Sequence, residues 1–225
     1  MAINAGDTTY YQAKRGIVQD GLVLNLDAAV DQSYPGNGTI WYDLEGSNSG
    51  TLTNGPTFDK DNGGSIVFDG TDDYVSTNFL PPTGTNPRTV SIWYKSDQTQ
   101  NKNLLGWGTV SNRALWDVLL YQGKVGVHLH STSAEAGVTY TNNVWQNIVF
   151  TYTHPTIKSY MDGVYQTSYT HSDINTVSSL NLNIAKGHYS YFYFNGNIPI
   201  VQIYNRELSA NEVQQNYNAT KGRFE

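Results

Sequence analysis

The sequence predicts an all-β chain folded as an antiparallel sandwich, with one short helix at its C-terminal end. Three features point there: strand-length runs in which apolar and polar residues alternate, turn-forming Gly, Asn, Asp and Pro between the runs, and a composition rich in ring side chains but poor in charge. The 225 residues include 17 Tyr, 7 Phe and 5 Trp, ample surface for a large core, while charged residues make up 14%. A soluble domain usually carries about 25%. The length suits one large domain.

The runs begin with Leu22–Leu26, Ser65–Phe68 and Thr89–Tyr94. Val118–Tyr121, Val125–Leu129 and Gln146–Tyr152 follow, then Leu180–Ile184, Tyr191–Phe194 and Pro199–Tyr204. Asp162-Gly163 and Asn195-Gly196 are predicted to be tight hairpin turns, because both dipeptides accept the positive φ angles such turns need. The first of them joins Lys158–Met161 to Val164–Thr167. A helix is predicted after Ser209, whose hydroxyl caps it, with Glu212 completing a capping box and Leu208 stapling against Val213. Gly222 is the expected stop. Residues 1–20 show no clean period and are expected to form an N-terminal arm, leaving 21–225 as the folded domain; a flexible terminus or an edge strand of the same domain is the alternative reading of this stretch.

Thirteen Lys and Arg against nineteen Asp and Glu give a net charge of −6, so no general field draws the chain to nucleic acid. No apolar run approaches the ~18 residues of a membrane span, and the first residues hold no signal-peptide core. Cys is absent, which removes disulfides, thiolate metal sites and cysteine nucleophiles together.

Glycoside hydrolysis needs two carboxylates about 5 to 9 Å apart. None of Glu45, Glu135, Glu207, Glu212 and Glu225 lies two residues from another carboxylate on a strand-like run. The nucleophile elbow, the phosphate-binding loop and the dinucleotide fingerprint are also missing, so no catalytic residue is assigned. His128 and His130 flank Leu129 in an alternating run, which would set both imidazoles on one face, where a zinc site can begin; a third ligand is not identifiable.

Asp69, Asp72 and Asp73 concentrate carboxylates in a Gly-containing turn, the donor type calcium takes. The same turn can instead satisfy its own backbone as an Asx turn. No cofactor is required, and calcium is the metal these residues suggest. Tyr189, Tyr191 and Tyr193 alternate with Ser190, Phe192 and Phe194. Facing outward, these phenols can stack on sugar rings or a protein neighbour, or pair across strands to stabilise the sheet.

Gly64–Val75, reading GSIVFDGTDDYV, resembles an early-strand motif of laminin G-like, concanavalin A-type jelly rolls. Trp145–Tyr152 with Tyr160–Gly163 is similar to that family's tryptophan strand and Asp-Gly hairpin. Phe194–Ile198 followed by Ile203–Ser209 is similar to its closing strand and exit into the last helix. The resemblance spans about residues 21–224 and implies a concanavalin A-like antiparallel β-sandwich, a jelly roll. Where many members carry an acidic residue after the Gly-x-Ile of the closing strand, this chain has Pro199. The wording of Asp20–Ala29, Ser33–Gly36, Trp41–Leu44 and Tyr217–Phe224 resembles virion proteins of tailed phages, including phages of marine bacteria.

That second resemblance implies a non-enzymatic virion structural protein, a capsid decoration or tail component, assembled in the host cytoplasm. Its expected partners are other virion proteins in a homo-oligomer or symmetric array, with Tyr10, Tyr11, Lys14, Arg15 and Ile17 of the arm ordering against neighbouring subunits. Two alternatives stay open. One is a receptor-binding lectin module that holds host surface glycan through its loops or the Tyr189–Tyr193 face, and the other is a glycan hydrolase of the same fold.

Overall fold

The computed structural model describes residues 16–97, 101–130, 134–177, 181–187 and 192–225. In chain order the strands are β1 (Leu22–Asp27), β2 (Ile40–Trp41), β3 (Gly50–Thr53), β4 (Thr57–Asp59), β5 (Ser65–Asp69), β6 (Tyr74–Thr77), β7 (Arg88–Lys95) and β8 (Lys102–Gly108). Then come β9 (Leu115–Tyr121), β10 (Lys124–His128), β11 (Glu135–Thr139), β12 (Gln146–Thr153), β13 (Thr156–Met161), β14 (Val164–Thr170), β15 (Asn183–Ile184) and β16 (Asn195–Tyr204). One helix, α1 (Ala210–Thr220), follows.

Two antiparallel sheets result. The first runs β14-β13-β12-β7-β16-β5-β4, with β1 also paired to β16, and the second runs β11-β10-β9-β8-β15-β6-β3-β2. Alternation decides which side chains meet between them. On β7, Val90, Ile92 and Tyr94 enter the core, as do Ile148, Phe150 and Tyr152 on β12. They pack against Trp107 and Leu105 of β8 and against Trp116, Val118 and Leu120 of β9. Trp41, Trp107 and Trp116 are completely buried, so the indole surface expected to fill a core does so.

The opposite face of the first sheet is covered by α1. Ser209 and Glu212 form the predicted capping box, and Leu208 and Val213 lie in one cluster with Val149, Tyr160 and Tyr204. Ile17, Val18 and Leu22 complete that cluster. The Val18 N–H donates to Asn216 Oδ1 at 2.8 Å, the Tyr204 hydroxyl donates to the Val18 carbonyl at 3.0 Å, and Gln215 Nε2 donates to the Gly16 carbonyl at 2.7 Å. Residues 16–20 therefore belong to the folded body rather than to an arm.

Several sequence expectations need correction. Asn195-Gly196 is no hairpin turn: both residues lie inside β16, paired with Asp69 and Phe68 of β5. Gly196 has φ +136°, and a Cβ there would stand 2.2 Å from the Lys95 carbonyl, so glycine serves a close approach of strands. Residues 192–194 form no strand, although Phe194 is buried as expected. The Leu180–Ile184 run contributes a strand only at Asn183–Ile184, and Leu180 lies outside the described residues. Gly222 does not terminate α1, which tightens instead into a 3-10 turn over Lys221–Arg223. Finally, β10 ends at His128 and His130 takes φ +58°, so the strand alternation that would align the two imidazoles stops short of the second.

Candidate functional site

The outer face of the second sheet carries a polar row that crosses six strands. Thr51 of β3 pairs with Ser76 of β6, Ser76 with Asn183 of β15, Asn183 with Gly106 of β8, Gly106 with Asp117 of β9, and Asp117 with His128 of β10. Paired residues share a face, and the residues next to them, Val75, Ile184, Leu105 and Val118, point into the core.

The row changes character along its length. Ser76 and Asn183 are partly exposed, whereas Asp117 is completely buried. Gly106 makes room for its carboxylate: a Cβ at 106 would sit 1.8 Å from Asp117 Oδ1. Gly187 covers the other side, where a Cβ would stand 1.8 Å from Asn103 Nδ2 and 2.8 Å from Asp117 Oδ2. Burial lowers the pKa of His128, and the Asp117 charge opposes that shift.

Tyr74, two residues before Ser76, extends this face toward the acidic turn. Its ring lies 6.4 Å from that of Tyr193, inclined at 50°. The Lys186 ammonium sits 4.2 Å from the Tyr74 ring centroid and 5.6 Å from that of Tyr193, a cation–π arrangement. All three side chains are partly exposed.

Immediately before Tyr74, Asp69, Asp72 and Asp73 bring one carboxylate oxygen each within 4.8 Å of one another. The Thr71 N–H donates to Asp69 Oδ1 at 2.8 Å and, as the chief cause, holds that carboxyl low. Burial raises Asp73, helped by the charges of Asp69 and Asp72, although the Asp69 N–H donates to its Oδ2 at 3.1 Å. Calcium takes about six to eight oxygens, and three carboxylates fit half of such a shell. Three of the turn's carbonyls accept from side chains: Gly70 O from Lys102 Nζ at 3.3 Å, Asp72 O from Asn54 Nδ2 at 3.0 Å and Asp69 O from Asn195 Nδ2 at 3.1 Å. The turn thus holds its shape through protein donors.

Of the sequence-predicted ligand residues, Tyr193 is brought beside the acidic turn through Tyr74, while Tyr189 and Tyr191 lie outside the described residues. Tyr10, Tyr11, Lys14 and Arg15 lie outside them too. Ile17, expected to dock on a partner, is 4% exposed and packed under α1 of its own chain, so it is not available for that role. Tyr74, Lys186 and Asp117 were not singled out in the sequence. Tyr74 alternates with Val75 and Ser76 and was legible as outward-facing, but the cross-strand pairings that assemble the row left no local trace.

Two facing antiparallel sheets, a core between them and one helix on an outer face define a jelly-roll sandwich of the lectin-like class. Residues 69–214 match a family profile described as the concanavalin A-like lectin/glucanases superfamily. The chain belongs to that superfamily.

No curated protein sequence matches it. Among solved structures, domain 4 of AbnA, a GH43 extracellular arabinanase from Geobacillus stearothermophilus in complex with arabinotriose, is similar with a TM-score of 0.69 at 16% identity, over 87% of this chain and 98% of that one. The binding domain of Paraclostridial mosquitocidal protein 1 is similar at 0.68 and 15% identity, over 88% and 52% of the two chains. The botulinum neurotoxin serotype D ligand-binding domain in complex with N-acetylneuraminic acid gives 0.65 and 14%, over 94% and 52%. The chain thus spans about half of each toxin structure, and at these identities the likeness is one of fold.

Proposed function

We propose that the chain is a non-enzymatic display module, a virion structural protein of the capsid surface or tail, that docks through the segment preceding residue 16 and presents the outer face of its second sheet. One observation carries the two-sided reading. Residues 16–20 are tied to α1 on the outer face of the first sheet, whereas the Ser76, Asn183, Tyr74 and Lys186 surface lies on the outer face of the second. The virion assignment itself rests on the resemblance of the sequence to tailed-phage proteins. Other virion proteins, in a symmetric array, are the partners it implies. Incorporation of a chain lacking residues 1–15 into particles tests the docking role: exclusion from otherwise normal particles supports it, and normal incorporation refutes it.

Glycan recognition is a second reading, favoured by the partly exposed Tyr74–Lys186–Tyr193 group beside hydroxyl and amide side chains, the types that contact sugars. Domain 4 of the arabinanase, solved with arabinotriose, has the same fold. A glycan array read with calcium and with chelator tests it, and the absence of binding to every host-derived sugar would count against it. Hydrolysis is less well supported. Asp117 is the one carboxylate in the polar row and is enclosed between Gly106 and Gly187, whereas the reaction needs two carboxyl groups that reach the same bond.

A further inference from the structure

Along one side of the sandwich, edge strand β11 of the second sheet lies against edge strand β14 of the first. Tyr169 stands on β14, and its hydroxyl accepts from Arg113 Nη1 at 2.9 Å. The guanidinium carbon is 6.0 Å from the same ring's centroid. His171 stacks on Tyr169 with centroids 6.2 Å apart and planes 15° from parallel. Its Nδ1 accepts from the Asp173 N–H at 3.2 Å and stands 4.0 Å from the exposed Asp173 carboxylate, so Nε2 is the ring nitrogen turned away from Asp173. All three side chains are partly exposed.

Arg113 is held there against a backbone cost. Its φ is +63°, left-handed for a residue with a Cβ. Two separate segments fix it: its N–H donates to the Leu129 carbonyl at 2.8 Å, and its carbonyl accepts from the Asn175 N–H at 3.0 Å. His130, next to Leu129, and Ala136, next to Glu135, are also left-handed, at +58° and +50°. Unfavourable backbone angles held by surrounding structure cluster where a side chain must be aimed. Of the five N–H groups of a guanidinium, the one to Tyr169 is engaged in a side-chain hydrogen bond, and no carboxylate of the described residues forms an ion pair with Arg113. Glu135 feels the charges of Arg113 and His171, but burial raises its carboxyl.

We propose that Arg113, Tyr169 and His171 form a recognition site for the carboxylate of an acidic sugar. The guanidinium fork takes the carboxylate, as such forks do in bidentate geometry. The Tyr169 hydroxyl, which accepts from Arg113, retains its own proton to donate, and His171 Nε2 supplies a third contact. The stacked Tyr169 and His171 rings give an apolar wall for a pyranose face.

Titration with glucuronate, followed by NMR shifts of the histidine ring protons and by calorimetry, tests the site, with glucose and acetate as comparison ligands. Glucuronate should bind and glucose should not. R113N, which tolerates the left-handed backbone, should weaken glucuronate at least tenfold with an unchanged thermal midpoint, and Y169F should weaken it severalfold. Acetate binding as well as glucuronate would retain the carboxylate fork and remove the sugar-stacking part. Glucose binding as tightly as glucuronate, or full binding in both variants, would overturn the proposal.

Discussion

Asp117 and Gly106 face each other across β9 and β8 at a separation that forbids any side chain at 106, since a Cβ there would stand 1.8 Å from Asp117 Oδ1. The buried carboxylate therefore takes the space a side chain would occupy, and the two positions are coupled. G106A should lower the unfolding free energy by about 1 to 3 kcal/mol, the usual cost of overpacking. Shortening the partner in G106A/D117A should cost less than the sum of the two single changes. Urea titrations of the four proteins check this, and strict additivity would disprove the coupling.

Arg88 offers a second test, because it is a fully buried cation with no carboxylate beside it among the described residues. Its guanidinium lies 4.4 Å from the Trp116 ring centroid and 4.6 Å from that of Tyr152. It donates to the Pro82 carbonyl at 2.6 Å and the Gly84 carbonyl at 3.2 Å, pinning that loop. Burial lowers its pKa to about 10, so the charge persists at neutral pH. A lysine lacks the planar fork that reaches both carbonyls while stacking between two rings, and its compact ammonium is more strongly hydrated. R88K should therefore destabilise by about 3 kcal/mol or more, as when a buried charge loses its partners. R88M removes the charge with the bonds and should cost less. Thermal midpoints decide the order.

How far the sequence foretold this structure differs by element. Two central strands of the first sheet, buried on both faces, were readable almost to their ends: Thr89–Tyr94 became Arg88–Lys95, and Gln146–Tyr152 became Gln146–Thr153. The Asp162-Gly163 turn and the Ser209 cap depend on local chemistry and formed as expected. Asn195-Gly196 misled because the same φ freedom that suits a turn also lets two strands approach, here β16 and β7 at Lys95. The polar row failed for another reason. Its members lie on different strands up to 132 positions apart, counted from Thr51 to Asn183, and only the strand order unites them. The acidic turn, contiguous in sequence, was the part of the candidate site that could be read directly.

The fold's N-terminal boundary makes a third prediction. A chain lacking residues 1–15 keeps every described residue and serves as the reference for the urea midpoint. Removing 1–18 also deletes Ile17 and Val18, which are 4% and 9% exposed in the cluster under α1. At about 1.5 to 3 kcal/mol per buried aliphatic side chain, the loss should be about 3 to 6 kcal/mol. Equal stability of the two truncations would show that the segment under α1 contributes nothing.

Acid should expose the link between Arg206 and Glu212. Hydrogen bonds from Arg206, the nearer at 2.6 Å, pull the Glu212 carboxyl from 4.5 down to about 2. The folded value is below the unfolded one, so this contribution is complete above about pH 4.5 and is lost as the pH falls towards 2. The advantage of the wild type over E212Q should accordingly be present at pH 6, shrink through that window and weaken with added salt, because the pair is partly exposed. Denaturation midpoints at several pH values measure it, and a difference independent of pH would rule the carboxylate out as its source.

A side-chain-resolution density map of intact phage particles bears most directly on the two-sided display role. The segment before residue 16 and the α1 side should contact the particle, with Tyr74, Lys186 and Tyr193 turned toward solvent. Particles in which those three side chains are packed against a neighbouring virion protein, or which contain no copy of the chain, would contradict it.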